Sequence, residues 1–229
     1  MRYLVGKKWF LTLVTLVGLF TIAPAAKADP FLLGTVPVAP GGTVMPGLVA
    51  PGTPPGVFLA SITQTLSGTF TGTLTTAAFR EAGGTLDFYY QISIASGDAV
   101  ARLTTINFTG SATAVGFRVD GASPFVHGTI LPTGADRNAA GNLVGFSFGA
   151  PIAPGLTSVV LVISTDATNF TSGSITLTGV TGGTLTTGAP FAPVAPVPEP
   201  VSVLLLGTGL AGVAAKVRKR RKASKDEEA

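Results

Sequence analysis

From Leu86 to Ile94 every second residue is apolar: Leu86, Phe88, Tyr90, Ile92 and Ile94 alternate with Asp87, Tyr89, Gln91 and Ser93. A period of two matches a β-strand, whose successive side chains face opposite ways, and fits no helix. The same alternation places Val115, Phe117 and Val119 on one face, and likewise Val144, Phe146 and Phe148, then Ile175 and Leu177. Thr69 to Thr75 reads as a threonine-rich strand, since a β-branched side chain suits the pleated sheet. Leu156 to Ile163 is a nearly unbroken apolar run, as expected of a strand covered on both faces. Turn residues separate these runs at Gly83-Gly84, Ser96-Gly97-Asp98, Asp120-Gly121, Gly134 to Gly141, Pro151 to Gly155 and Ser172-Gly173. No window of about 12 residues carries a helical stripe with caps. The expected fold is all-β: a single β-sandwich over residues 57–181, jelly-roll or immunoglobulin-like, with eight or nine short strands. Tyr90 belongs to its buried face and Tyr89 to its outer face. Ten phenylalanines, from Phe58 to Phe170, are available to fill the core.

Both flanks of this region read as linkers. In residues 30–56, seven prolines and six glycines make up 13 of 27 positions, without a charge. Proline lacks the backbone donor that a sheet interior requires, so residues 29–56 are expected to be extended, with part of their apolar content packed on the domain. Residues 182–196 repeat the pattern with Pro190, Pro193 and Pro196, and are expected to hold the domain away from a membrane.

The two ends read as addresses. Arg2, Lys7 and Lys8 precede an apolar run from Trp9 to Ala23, Pro24 breaks it, and Ala26 and Ala28 stand at −3 and −1 before Asp29. That order of parts is a secretory signal peptide over residues 1–28, cleaved to leave Asp29 first. Its partners are the secretion translocon and signal peptidase. At the other end, Pro198-Glu199-Pro200 is followed by an apolar run, residues 201–215, and by the basic cluster Lys216, Arg218, Lys219, Arg220, Arg221 and Lys222. Fifteen helical residues reach about 22 Å, a short span for a hydrocarbon core of about 30 Å. Snorkelling of Lys216 and Arg218 and local bilayer thinning cover the difference. The basic cluster stays cytoplasmic as a stop-transfer signal, with residues 223–229 as a charged tail behind it. The topology is then body outside, tail inside.

These residues closely resemble the PEP-CTERM sorting signal of Gram-negative bacteria. Pro198, Glu199 and Pro200 match its motif, Leu204 to Gly212 is similar to its Leu- and Gly-rich helix, and the basic cluster is similar to its tail, so residues 197–222 carry the resemblance. The resemblance implies recognition by an exosortase-like membrane protease and cleavage near the motif. It also implies transient residence in the inner membrane and delivery to the cell envelope or an exopolysaccharide-containing biofilm matrix.

Charge and composition close off most chemistry for the region between. The net charge of +4 arises at the two ends; residues 29–215 hold four arginines, eight acids and no lysine. No basic face exists to neutralise phosphates, so nucleic acid is excluded as a partner. The chain has no cysteine and one histidine, His127, which excludes a cysteine nucleophile, a disulfide scaffold and a Cys/His metal site. No Gly-x-Ser-x-Gly elbow accompanies His127. Glycoside hydrolysis needs two carboxylates at a fixed separation, and of Glu81, Asp87, Asp98, Asp120, Asp136 and Asp166 most read as turn or outward-facing strand residues instead. Asp136, Asn138 and Asn142 supply oxygens for calcium but without a recognised spacing, and Arg137 opposes them. The expectation is therefore no catalytic residue, no metal and no cofactor. The alternative to a non-enzymatic matrix protein is a carbohydrate-binding module, for which Tyr89, beside Asp87 and Gln91, is the candidate ligand contact.

Overall fold

The computed structural model describes residues 31–194, Pro54 excepted. The expected signal peptide, the expected membrane helix of residues 201–215 and the expected charged tail fall outside the described residues.

The described residues form strands and no helix. Three two-residue strands come first: β1 (Val36–Pro37), β2 (Thr43–Val44) and β3 (Gly47–Leu48). Then follow β4 (Val57–Leu66), β5 (Phe70–Arg80), β6 (Leu86–Gly97), β7 (Val100–Ile106) and β8 (Thr113–Arg118). β9 (Gly134–Arg137), β10 (Leu143–Ile152), β11 (Val160–Thr165), β12 (Phe170–Gly179) and β13 (Thr184–Pro193) complete the set. A seven-stranded sheet has the order β1-β8-β11-β6-β5-β4, with β3 also paired to β8. A six-stranded sheet has the order β13-β12-β7-β10-β9-β2. All pairings are antiparallel except β3 with β8.

The two sheets enclose one core, in a sandwich-like arrangement. Leu74, Phe88, Ile92 and Leu161 from the first sheet meet Leu103, Phe146, Ile175 and Leu177 from the second. Tyr90 faces inward as its register requires, and its hydroxyl donates to Phe191 O of β13 across the core at 2.9 Å. Five of the ten phenylalanines, Phe70, Phe88, Phe108, Phe146 and Phe148, are buried in this core. Phe58 is not: it is exposed on β4 and packs edge-on against Phe79 at 5.7 Å.

Two segments read as linkers belong to the sheets. Residues 31–53 supply β1 and β3 at one end of the first sheet and β2 at one end of the second. Proline is barred from sheet interiors but not from edges, and all three strands are edge pieces. Gly47 lets β3 pass close to the chain just before β1, because a Cβ there would lie 2.0 Å from Gly34 O. Residues 184–193 form β13, paired along β12 from Thr178↔Thr184 to Phe170↔Pro193. Pro190 and Pro193 are again tolerated because β13 is the end strand of its sheet.

Two expected turns are also strands. Ser172-Gly173 lies inside β12, where the register with β13 shifts between Ser172 and Ser174, with the extra residue of the bulge on β13 opposite the glycine. Gly134 to Arg137 is β9, and the turn is confined to the residues that follow it.

Candidate functional site

The first sheet carries a second apolar layer on its outer face. Ala77, Phe79, Tyr89, Val160 and Val162 are covered by Leu32 and Val49 from the proline-rich segment and by Phe125 from the β8–β9 connection. The register explains their assembly: Ala77 pairs with Tyr89, Tyr89 with Val162, and Val162 with Gly116. The continuous apolar run of β11 is therefore buried on both faces, as its sequence indicates.

Tyr89 does face outward, but it is only 1% exposed, which corrects the expectation of an open tyrosine. Its ring lies 4.6 Å from Phe79 and 6.1 Å from Phe125, and the Arg118 guanidinium sits 6.0 Å from its centroid. A ring covered in this way offers no flat platform to a sugar. Burial, with Asp87 nearby, raises the Tyr89 hydroxyl pKa above its ordinary value. Arg118 is buried too. Its Nε donates to Asp120 Oδ1 at 3.0 Å, and its Nη2 pairs with Oδ2. That pairing holds the Asp120 carboxyl below the usual range and raises the guanidinium.

Asp87 is the most perturbed acid. It lies on the outer face of β6, opposite Phe79 and Ser164, and is fully buried rather than solvated. Neither carboxyl oxygen has a hydrogen bond of good geometry. Burial, reinforced by the neighbouring Glu81, pushes its pKa up to about 8. Around this pair the proline-rich segment is pinned twice: Leu32 N donates to Ser164 Oγ at 2.9 Å, and Gly56 N to Glu81 Oε1 at 3.1 Å. Glu81 and Asp87 are thus neighbours, yet the buried member lies beneath a covering segment and cannot reach a polysaccharide.

The remaining acids of the β region are each engaged. Arg102 Nη1 and Nη2 donate to Asp136 Oδ1 and Oδ2 at 2.7 and 2.9 Å. Gly145 lies under that bridge, since a Cβ there would lie 2.0 Å from Arg102 Nη2. Asp98 Oδ2 accepts from Thr181 N and Oγ1, which lowers its pKa, and Asp166 Oδ1 accepts from Ala112 N. Asn138 Nδ2 donates to Asn142 Oδ1 at 2.6 Å, and Leu143 N donates to Asn138 Oδ1, so both side chains serve their own turn. Arg137 turns inward and donates to Phe108 O, Ser111 O and Gly141 O. His127 is exposed on the β8–β9 connection.

The outer layer around Tyr89, Arg118 and Asp87 is absent from the sequence reading. The apolar run of β11 contains the signal for it. If β11 is covered on its outer face, the adjoining residues of β6, Tyr89 included, are covered as well.

Pro198, Glu199 and Pro200, the expected cleavage residues Ala26, Ala28 and Asp29, and Lys216 to Lys222 lie outside the described residues. Among the described residues no helix is long and apolar enough to cross a membrane. The molecule is thus an all-β, sandwich-like body whose last described residue, Val194, leads directly into the C-terminal segment. Residues 196–221 of that segment match the family model of the PEP-CTERM protein-sorting motif. The chain carries a PEP-CTERM sorting signal, the mark of an exported, membrane-passing precursor processed by an exosortase, a membrane protease. The match covers the tail and says nothing of the β-strands. Comparison with curated proteins and with solved structures finds no match.

Proposed function

We propose that this chain is an exported, non-enzymatic protein of the cell envelope or extracellular matrix, sorted through its C-terminal signal. The observation that carries this reading is the sorting motif at residues 196–221. Residues 1–28 direct export, residues 201–215 span the inner membrane as a short helix, and Lys216 to Lys222 hold the tail in the cytoplasm. The prolines of Pro198-Glu199-Pro200 keep the backbone extended at the outer interface, where a membrane-embedded protease reaches it.

A structural rather than catalytic role is supported by how the body uses its few ionisable groups. Asp98, Asp120, Asp136, Asp166 and Glu81 are all engaged in fold contacts, and Asp87 is sealed in. The exposed strand faces present hydroxyls that bond one another, as in Thr63 with Thr75 and Thr176 with Thr186. A sparsely charged, hydroxyl-rich surface suits a hydrated exopolysaccharide matrix without a dedicated ligand site.

The test replaces Pro198, Glu199 and Pro200 together with alanine in an exosortase-bearing host. The variant is expected to accumulate in the inner membrane while the wild type leaves it. Equal distribution of both through the cell fractions would contradict exosortase sorting.

A further inference from the structure

The two sheets guard their edges unequally. On the β8 side the first sheet ends in β1 and β3, two residues each, with Pro37 in β1. On the β9 side the second sheet ends in the two-residue β2, closely followed by Pro46. β13, at its other end, carries Gly188, Pro190 and Pro193. Proline, charge and brevity are the usual devices that stop an open edge from recruiting another strand.

β4 has none of them. Its ten residues, Val-Phe-Leu-Ala-Ser-Ile-Thr-Gln-Thr-Leu, include no proline, glycine or charge. At about 3.4 Å per residue they present some 34 Å of edge. Among the described residues β4 forms a ladder only with β5, and the Gln64 side chain bonds to Gly188 O and Thr187 of β13, so the backbone of its other edge has no strand partner. Its one register shift falls between Phe58 and Ala60, leaving Ser61 to Leu66 regular. Val57 is 70% and Phe58 52% exposed at its start.

We propose that β4 is a self-association edge, and that its occupant is β4 of a second copy, antiparallel about a two-fold axis. Strand addition draws affinity from the backbone and specificity from charges or side-chain pockets. β4 itself carries no charge with which to select a foreign peptide. Its own two-fold image meets it without charge repulsion. Ser61, Thr63 and Thr65 share one exposed face, and hydroxyl pairing across strands already occurs there between Thr63 and Thr75 at 3.1 Å. The pairing joins two seven-stranded sheets edge to edge. One strand edge buries far less than the roughly 1,600 Å² of a standard stable interface, so the dimer is concentration-dependent. The inference stands on the edge alone and does not depend on the sorting signal.

The chain has no cysteine, so one nitroxide can be attached at Thr63→Cys in the purified full-length protein in detergent. A second preparation carries it at Thr186→Cys, on the exposed face of the other sheet. Spin–spin coupling is expected at position 63, rising with protein concentration, with Cα separations of about 10 Å or less, two strand spacings. Coupling at position 186 is expected to be absent. Adding Ser61→Lys and Thr65→Lys, both at exposed sites, sets like charges across the axis and should weaken association about tenfold or more. An unchanged circular dichroism spectrum shows that the lysine variant is folded. No coupling at position 63 at any concentration overturns the proposal, and is the result if the chain's own C-terminal segment fills the edge. Coupling that survives the lysines, or that appears at position 186 instead, overturns it as well.

Discussion

Asp87 concentrates the physical tension of this fold in one side chain. Its partners across the sheet are Phe79 and Ser164, its carboxyl is buried, and Glu81 stands beside it. The folded protein therefore retains the Asp87 proton up to about pH 8, whereas an unfolded aspartate releases it near pH 4. Within that window the folded state binds more protons than the unfolded state. Stability must then fall as pH rises from about 4 to about 8, by up to about 1.4 kcal/mol per unit, and level off above. Asp87→Asn keeps the shape and removes the titration. Its denaturation midpoint should vary less across this window and exceed that of the wild type at pH 8 and above. Midpoints of the two proteins running parallel from pH 4 to 9 would contradict this account of Asp87.

At the scale of elements, the proline-rich segment is the informative one. Its apolar residues divide sharply: Leu32 is buried in the outer layer, while Leu33 is 81% exposed. Leu32→Ala should cost about 2–4 kcal/mol in chemical denaturation, and Leu33→Ala well under about 1. Similar losses for both would mean that the segment does not seal the sheet. Most long strands were legible because the period of two in β6, β8, β10 and β12 has a direct steric cause. The proline-rich strands are not legible, because proline's missing donor argues against pairing in general, whereas an edge strand needs only one bonded side. The burial of Tyr89 escapes the sequence for a related reason. Alternation identifies two faces of a strand but not what lies over the second, and Leu32, Val49 and Phe125 reach it from distant parts of the chain.

On the scale of the whole molecule, the chain crosses repeatedly between its sheets. β4 to β6 lie in the first, β7 in the second, β8 in the first, β9 and β10 in the second, β11 in the first, and β12 and β13 in the second. Contacts distant in sequence therefore hold the body together without a cysteine, which suits a protein exported to variable redox surroundings. β13 ends at Pro193, and the sorting signal begins at residue 196. The central claim is that this body is released there, with both addresses removed. Intact-mass measurement of the product recovered from wild-type, exosortase-bearing cells tests it most directly. The expected mass is that of a chain beginning at Asp29 and lacking Val201 to Ala229. A stable product that retains its C-terminal peptide would contradict it, and would make this protein a membrane-tethered surface domain instead.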